Sequence, residues 1–193
     1  MNPFPRRKSH RRRDRRGVAA VEFALVLPIL ALVAVAVVDV VDFLRVSMRL
    51  ERTAGEVANL MAQYETLKAE DVTALFDVAR QIAAPYGVTA TAGKVYLTSC
   101  GNLGSGVQSL GQSSAGSYNV RSAVVCEGQT VRVQPFNAEI TLASGQGAVL
   151  VEVYLRWEPW VLSRRFFQAQ AFNQLWSFAV QRPRLVSILR VPT

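Results

Sequence analysis

At 193 residues the chain has room for one domain and an appendage. Its formal charge of +8 is concentrated: residues 1–17 hold eight basic residues against Asp14 alone, a balance of +7, and the remaining 14 basic and 13 acidic residues contribute only +1. That distribution argues against a nucleic-acid-binding domain. With the single histidine, His10, in the tail, it also excludes histidine acid–base or metal chemistry beyond it.

Immediately after the tail, Val18–Val38 reads VAAVEFALVLPILALVAVAVV, with Glu22 as its one charge. As a helix it would be about 31 Å long at 1.5 Å per residue, enough for a hydrocarbon core of roughly 30 Å. The positive-inside rule then keeps residues 1–17 in the cytoplasm and exports the C-terminal part of the chain. Beyond Asp39 the apolar positions Phe43, Val46, Leu50, Ala54, Val57 and Met61 recur at spacings of three and four. Asp39, Asp42, Arg45, Arg49, Arg52 and Glu56 are expected on the remaining surface. These spacings predict a single rod from about Val18 to Tyr64, apolar all round in its first half and amphipathic in its second, with a kink expected at Pro28.

Residues 65–69 read as a break. Glu70-Asp71 opens a second helix with two carboxylates at its positive end, Val72, Leu75, Phe76, Ala79, Ile82 and Ala83 form its apolar stripe, and Pro85-Tyr86-Gly87 ends it. After Gly87 the pattern turns to alternation. Lys94–Ser99 reads as a strand and the Gly- and Ser-rich Gly101–Ser117 as a flexible loop. Val120–Cys126, Val131–Gln134 and Ala138–Leu142 are short strands. Ser144–Gly147 is a turn that makes a hairpin with the strongest strand, Ala148–Trp157. There Val149, Val151, Val153, Leu155 and Trp157 face one way, and Glu152 and Arg156 the other. Trp176, Phe178 and Val180 suggest a last strand after an irregular or partly helical stretch. The fold class is α+β: a basic leader over 1–17, a transmembrane and extended helix over 18–64, and an extracytoplasmic domain over 65–193 with a second helix and a mostly antiparallel sheet.

Cys100 and Cys126 both fall in the exported part, where an even count suggests one disulfide; two free buried thiols is the other reading. Asp39 and Asp42 share a helical face, a spacing that usually marks the end of a hydrophobic span rather than a paired-carboxylate site. Gly101–Gly106 has no lysine for a phosphate loop. No catalytic constellation, metal site or cofactor is expected. The aromatic cluster Trp157, Trp160, Phe166 and Phe167 with Arg164-Arg165 fits core packing, a subunit contact or a membrane-interface belt.

The junction Arg15-Arg16-Gly17-Val18-Ala19-Ala20-Val21-Glu22-Phe23 joins a charged leader, a glycine and an apolar helix with a glutamate at the fifth position beyond that glycine. It resembles the cleavage site of type IV pilins and, more closely, the TadE-like proteins of tight-adherence (Flp) pilus systems. RRGVAAVEFALVLPIL is similar to the family's opening nearly throughout. The likeness is specific over about residues 12–62 and looser beyond, where the paired cysteines and VLVEVYLRWEP fit the family's extracytoplasmic part. The resemblance implies a minor pilin or pseudopilin, cut between Gly17 and Val18 by a prepilin peptidase, with Glu22 meeting the new N-terminus of a neighbouring subunit. The implied partners are the inner membrane, that peptidase and other pilin or pseudopilin subunits, with no nucleic acid. Ala34-Val35-Ala36 offers a rival secretory cleavage after Ala36, and an uncleaved signal anchor carrying a sensor or binding domain is a further alternative.

Overall fold

The computed structural model describes residues 15–134, 138–159 and 174–192. The first helix, α1, runs without interruption from Arg15 to Met61, with Pro28 inside it. Helix α2 follows at Ala69–Ala83, and the Asp71 carboxylate accepts a hydrogen bond from the Lys68 backbone N–H at 2.9 Å, satisfying one of the helix's free N-terminal donors. The strands are β1 (Gly93–Asn102), β2 (Val107–Ala115), β3 (Val124–Glu127), β4 (Thr130–Val133), β5 (Ala138–Thr141), β6 (Gly147–Arg156) and β7 (Gln174–Gln181). They form an antiparallel four-stranded sheet in the order β2-β1-β6-β7 and an antiparallel three-stranded sheet in the order β3-β4-β5. The α+β class expected from the sequence is the class observed.

The four-stranded sheet is the middle of three layers. One face carries Val95, Leu97, Val149, Val151, Val153 and Leu155 against the distal half of α1, whose Val46, Leu50, Ala54, Val57 and Met61 are all buried, and against Val72, Leu75 and Ala79 of α2. The opposite face contributes Cys100, Ala148 and Leu150 to a second core with Val107, Val131, Val133 and Leu142. Strand β6 is therefore covered on both sides, and of its residues only Arg156 is exposed. Alternation along β6 sorts its side chains between two cores instead of between core and solvent.

Three sequence expectations need correction. Gly101–Ser117 is a strand hairpin rather than a flexible loop: β2 pairs with β1 from Val107 to Ala115, across a register shift at Ser99/Cys100. Its Ser- and Gly-rich composition hides a strand because one glycine is there for space. A Cβ on Gly111 would lie 1.9 Å from the Val191 carbonyl oxygen, so the C-terminal segment crosses β2 where only glycine lets backbone approach. That segment also buries Leu189 and Val191, and Ser113 Oγ donates to the Pro192 carbonyl at 2.6 Å.

Residues 120–123 do not join a ladder, so the strand expected from Val120 begins only at Val124. Two of their backbone groups bond side chains of the larger sheet instead: Tyr96 Oη donates to the Val120 carbonyl at 2.7 Å, and the Ala123 N–H donates to Glu152 Oε1 at 2.8 Å. Finally, the turn at 144–147 does not make a hairpin between its flanking strands. β5 pairs with β4 and β6 with β1 and β7, so the turn carries the chain from one sheet to the other. It is fastened to the end of β1 by two backbone hydrogen bonds, Gly145 N–H to Asn102 at 2.8 Å and Asn102 N–H to Gln146 at 2.9 Å.

Two further connections hold the sheets together. Cys100 of β1 and Cys126 of β3 are joined in a disulfide with their Cα atoms 5.9 Å apart. Closing a loop of that sequence separation stabilises the fold by roughly 3–4 kcal/mol in the chain-entropy account. The second is Glu152, fully buried at the centre of β6. Its carboxylate accepts from the Ser122 hydroxyl, the Ala123 N–H and Tyr154 Oη, so a charge that burial would penalise is met by three donors. Burial first, and then the Glu152 charge, push the Tyr154 hydroxyl well above the ordinary tyrosine range.

Because the folded pKa of Tyr154 lies above its unfolded value of 10.0, its contribution to stability is complete below about pH 10 and is lost as pH rises further, when only the unfolded chain ionises. Tyr154→Phe is expected to cost about 1–3 kcal/mol at neutral pH, through the lost hydrogen bond to a charged acceptor. It should also flatten the alkaline fall in stability. Urea unfolding of both proteins in detergent, at neutral pH and above pH 10, measures the two slopes; parallel falls would contradict the assignment.

Candidate functional site

The residues singled out by the sequence lie on the proximal half of α1. Gly17, Val18 and Glu22 are all in helix and exposed, with nothing within 4 Å of where a Gly17 side chain would begin. Val18 and Glu22 are one turn apart, a spacing that places their side chains on one face. Phe23, Leu25, Ile29, Leu30 and Leu32 are each more than half exposed. The most apolar window of this helix has a mean hydropathy of 2.8, and only 6% of it is buried. A core helix of a water-soluble fold would show the same composition but would be covered. This one is long and apolar enough to cross a membrane once, and among the described residues its apolar surface is bare.

The transition to the domain occurs within one turn. Asp39 is buried, and Asp42 Oδ2 accepts a hydrogen bond from the indole Nε1–H of Trp157 at 2.9 Å. The expectation that Asp39 and Asp42 share the polar surface with the arginines is thereby corrected. Asp39, Phe43, Val46 and Leu50 follow spacings of four, three and four, so both aspartates turn toward the domain while Arg45, Arg49 and Arg52 remain exposed. Sequence polarity alone could not separate them. Trp157 also meets the Phe43 ring edge-on at 5.4 Å between centroids, which makes it a docking residue between the end of β6 and α1. Trp160, Phe166 and Phe167, the other members of the expected aromatic cluster, lie outside the described residues, as does the leader up to residue 14.

Sequence reasoning missed the pairing of Glu152 with Ser122 and Ala123, since nothing in its strand pattern signals partners 30 residues away. It likewise missed a second aromatic group on the outer face of the middle sheet. There Tyr154 stacks on Trp176 at 5.6 Å and Trp176 on Phe178 at 5.6 Å, while Tyr96 meets Tyr154 edge-on at 6.1 Å. These rings occupy adjacent positions of β1, β6 and β7 and pack beside the second core. No group of three or more metal-ligating side chains is present among the described residues.

The geometry that characterises the chain is thus a bare apolar helix whose far half is built into a domain. Residues 17–59 match the TadE-like protein family. No curated protein and no solved structure matches the chain. The TadE-like segment begins at Gly17 and ends two residues before α1 does, so it takes in the membrane-compatible half, the aspartate transition and the domain-facing half alike. It points to a Tad-pilus-associated, membrane-anchored protein.

Trp157→Phe removes the donor to Asp42 while keeping most of the ring contact with Phe43. The expected cost is about 1–3 kcal/mol, the range for a lost hydrogen bond to a charged group. Asp42→Asn, which keeps an acceptor, should cost less. Thermal unfolding of the two variants in detergent gives their order; the reverse order would remove the indole–carboxylate bond as the element that docks the domain.

Proposed function

We propose that this protein is a TadE-like minor pilin or pseudopilin, a single-pass subunit that serves the assembly of a tight-adherence pilus and surface attachment. The observation that carries the reading is the junction itself. A +7 tail, Gly17, and an exposed apolar helix with Glu22 at the fifth position beyond the glycine coincide where the family match begins. In this reading the tail lies in the cytoplasm, α1 crosses the inner membrane, and the domain from about residue 65 is periplasmic. A prepilin peptidase cuts between Gly17 and Val18, where the lack of a side chain lets the enzyme reach the peptide bond. Cutting removes the tail and leaves an ammonium on Val18.

Glu22 then supplies the counter-charge. A carboxylate inside a hydrocarbon layer is costly unless it is paired, and the Val18 ammonium of a neighbouring subunit would offset that cost and fix axial register. The reading is one of assembly rather than catalysis. It is supported by the work that the polar groups of the domain already do, as Glu152 and Tyr154 join the two sheets and Asp42 docks Trp157. The other pilus subunits and the assembly machinery are its partners.

Processing is tested by N-terminal sequencing of protein extracted from membranes. Val18 is expected as the first residue, and Gly17→Arg should leave the longer form. A mature start at Val37 would mean secretory cleavage, and an intact leader would favour an anchored domain that never enters a fibre.

Pairing is tested separately with Glu22→Gln. A neutral amide is easier to place in the bilayer, so insertion and processing should persist. Loss of one member of a buried pair costs roughly 3–5 kcal/mol, and attachment and fibre number should fall while the processed protein stays at normal abundance. Wild-type attachment by Glu22→Gln would remove the charge-pairing mechanism.

A further inference from the structure

The exposed apolar surface of α1 does not stop where its 21-residue apolar run stops. Val37, Val41, Leu44 and Met48 follow spacings of four, three and four, which confine them to about 60° of the helix circumference at 100° per residue. Leu44 is 51% and Met48 61% exposed, and Val37 and Val41 are exposed as well. Val46, Leu50 and Val57 lie on the nearly opposite side and are buried in the domain. The two sides of the helix therefore change character at different heights. The domain side becomes covered from Asp39 on, whereas the free side remains bare and apolar to Met48.

Charge and ring chemistry fringe this free side. Arg45, Arg49 and Arg52 are exposed on one flank, and together with Met48, Pro85 and Tyr86 they line a shallow depression. Arg49 Nη1 donates to the Ile82 carbonyl at 3.2 Å, near the end of α2, which holds that guanidinium beside the stripe. Apolar side chains, arginines and a half-buried tyrosine in this order match the boundary between acyl chains and phosphate headgroups, where long basic side chains reach outward and amphipathic rings settle.

We infer that α1 leaves the bilayer obliquely, with its free side in contact with lipid beyond the level of Asp39 and with Arg45 and Arg49 at the depth of the lipid phosphates. The occupant of the stripe is the bilayer in which the helix is anchored, because the stripe is continuous with the span. This inference rests on the membrane-anchored reading. The geometry is consistent with it. Asp39 and Leu44 are about 7.5 Å apart along the axis, and a helix about 10 Å wide places both at one boundary when tilted on the order of 35°. At that tilt a core of roughly 30 Å takes in about 37 Å of helix, some 24 residues, so the axis exits beyond the 21-residue run. The domain then sits on the upper side of a leaning helix, held close to the membrane surface.

The test uses the full-length protein in vesicles of phosphatidylethanolamine with a minority of phosphatidylglycerol, at high lipid-to-protein ratio. Single spin labels are placed through Leu30→Cys, Leu44→Cys, Met48→Cys and Glu56→Cys. The native cysteines are bonded to each other and do not compete for the label, and these positions are exposed, so the label displaces no core residue. Collision with oxygen reports acyl surroundings and collision with a water-soluble nickel chelate reports water. The oxygen-to-nickel ratio at Leu44 is expected to lie below that at Leu30, near the middle of the span, and to exceed that at Glu56 several-fold, with Met48 setting the depth of the boundary. A water-like ratio at Leu44 beside a lipid-like ratio at Leu30 overturns the tilt and leaves the anchor intact. Protection from both agents with spin–spin broadening identifies a second copy on the stripe and also overturns it. A water-like ratio at Leu30 would instead overturn the anchor itself.

Discussion

A backbone in hydrocarbon has no water to satisfy its N–H and C=O groups, so the segment that enters the bilayer must carry its hydrogen bonds within itself. Here that requirement is met by a helix that does not end at the membrane boundary but continues into the domain as its central packing element. Everything else in the structure is arranged around this continuity. The proximal half offers apolar side chains in every direction; the distal half offers one apolar face to the middle sheet and a free side that stays apolar to Met48, with Arg45, Arg49 and Arg52 on its flank. The change is made within a single turn, by Asp39 and Asp42, which face the domain, and by Trp157, which reaches back to Asp42 from the end of β6. A rigid helical connection of this kind fixes how the domain stands relative to the membrane, as a flexible linker could not.

The middle sheet has to serve two cores at once. Its helix-facing side is aliphatic, which suits close packing against Val46, Leu50 and Met61. Its other side carries the disulfide, the buried Glu152 and the stacked Tyr154, Trp176 and Phe178, so the smaller sheet is attached by specific bonds as well as by the second apolar core. A three-stranded sheet of four-residue strands has little core of its own, and sheets this small depend on what they pack against. The disulfide between Cys100 and Cys126 and the carboxylate between Ser122, Ala123 and Tyr154 supply that support at two separate points. The C-terminal segment restrains the larger sheet and helix instead, crossing β2 at Gly111 and bonding Arg184 to Asn59 near the end of α1 at 2.7 Å.

Much of the architecture was written in local pattern. A 21-residue apolar run beside a basic tail specifies a membrane-compatible helix through length and charge alone, and spacings of three and four specify the buried face of its continuation through the helical repeat. Alternation along Val149–Trp157 specified a strand, and the glycine-to-glutamate junction carried the resemblance that the family match at residues 17–59 supports. These features depend on neighbours close along the chain, which is why the sequence alone carries them. What tertiary structure decided depends on partners far apart. Whether Gly101–Ser117 was loop or strand turned on pairing with β1 and on the passage of residue 191 over Gly111. The role of Glu152 required donors 30 residues away, and the separation of Asp39 and Asp42 from the arginines required knowing where the domain docks. Composition determined that α1 was long and apolar enough for a membrane; only the packed domain, by covering one side of the helix and leaving Val41, Leu44 and Met48 bare on the other, decided which of its faces that membrane could reach.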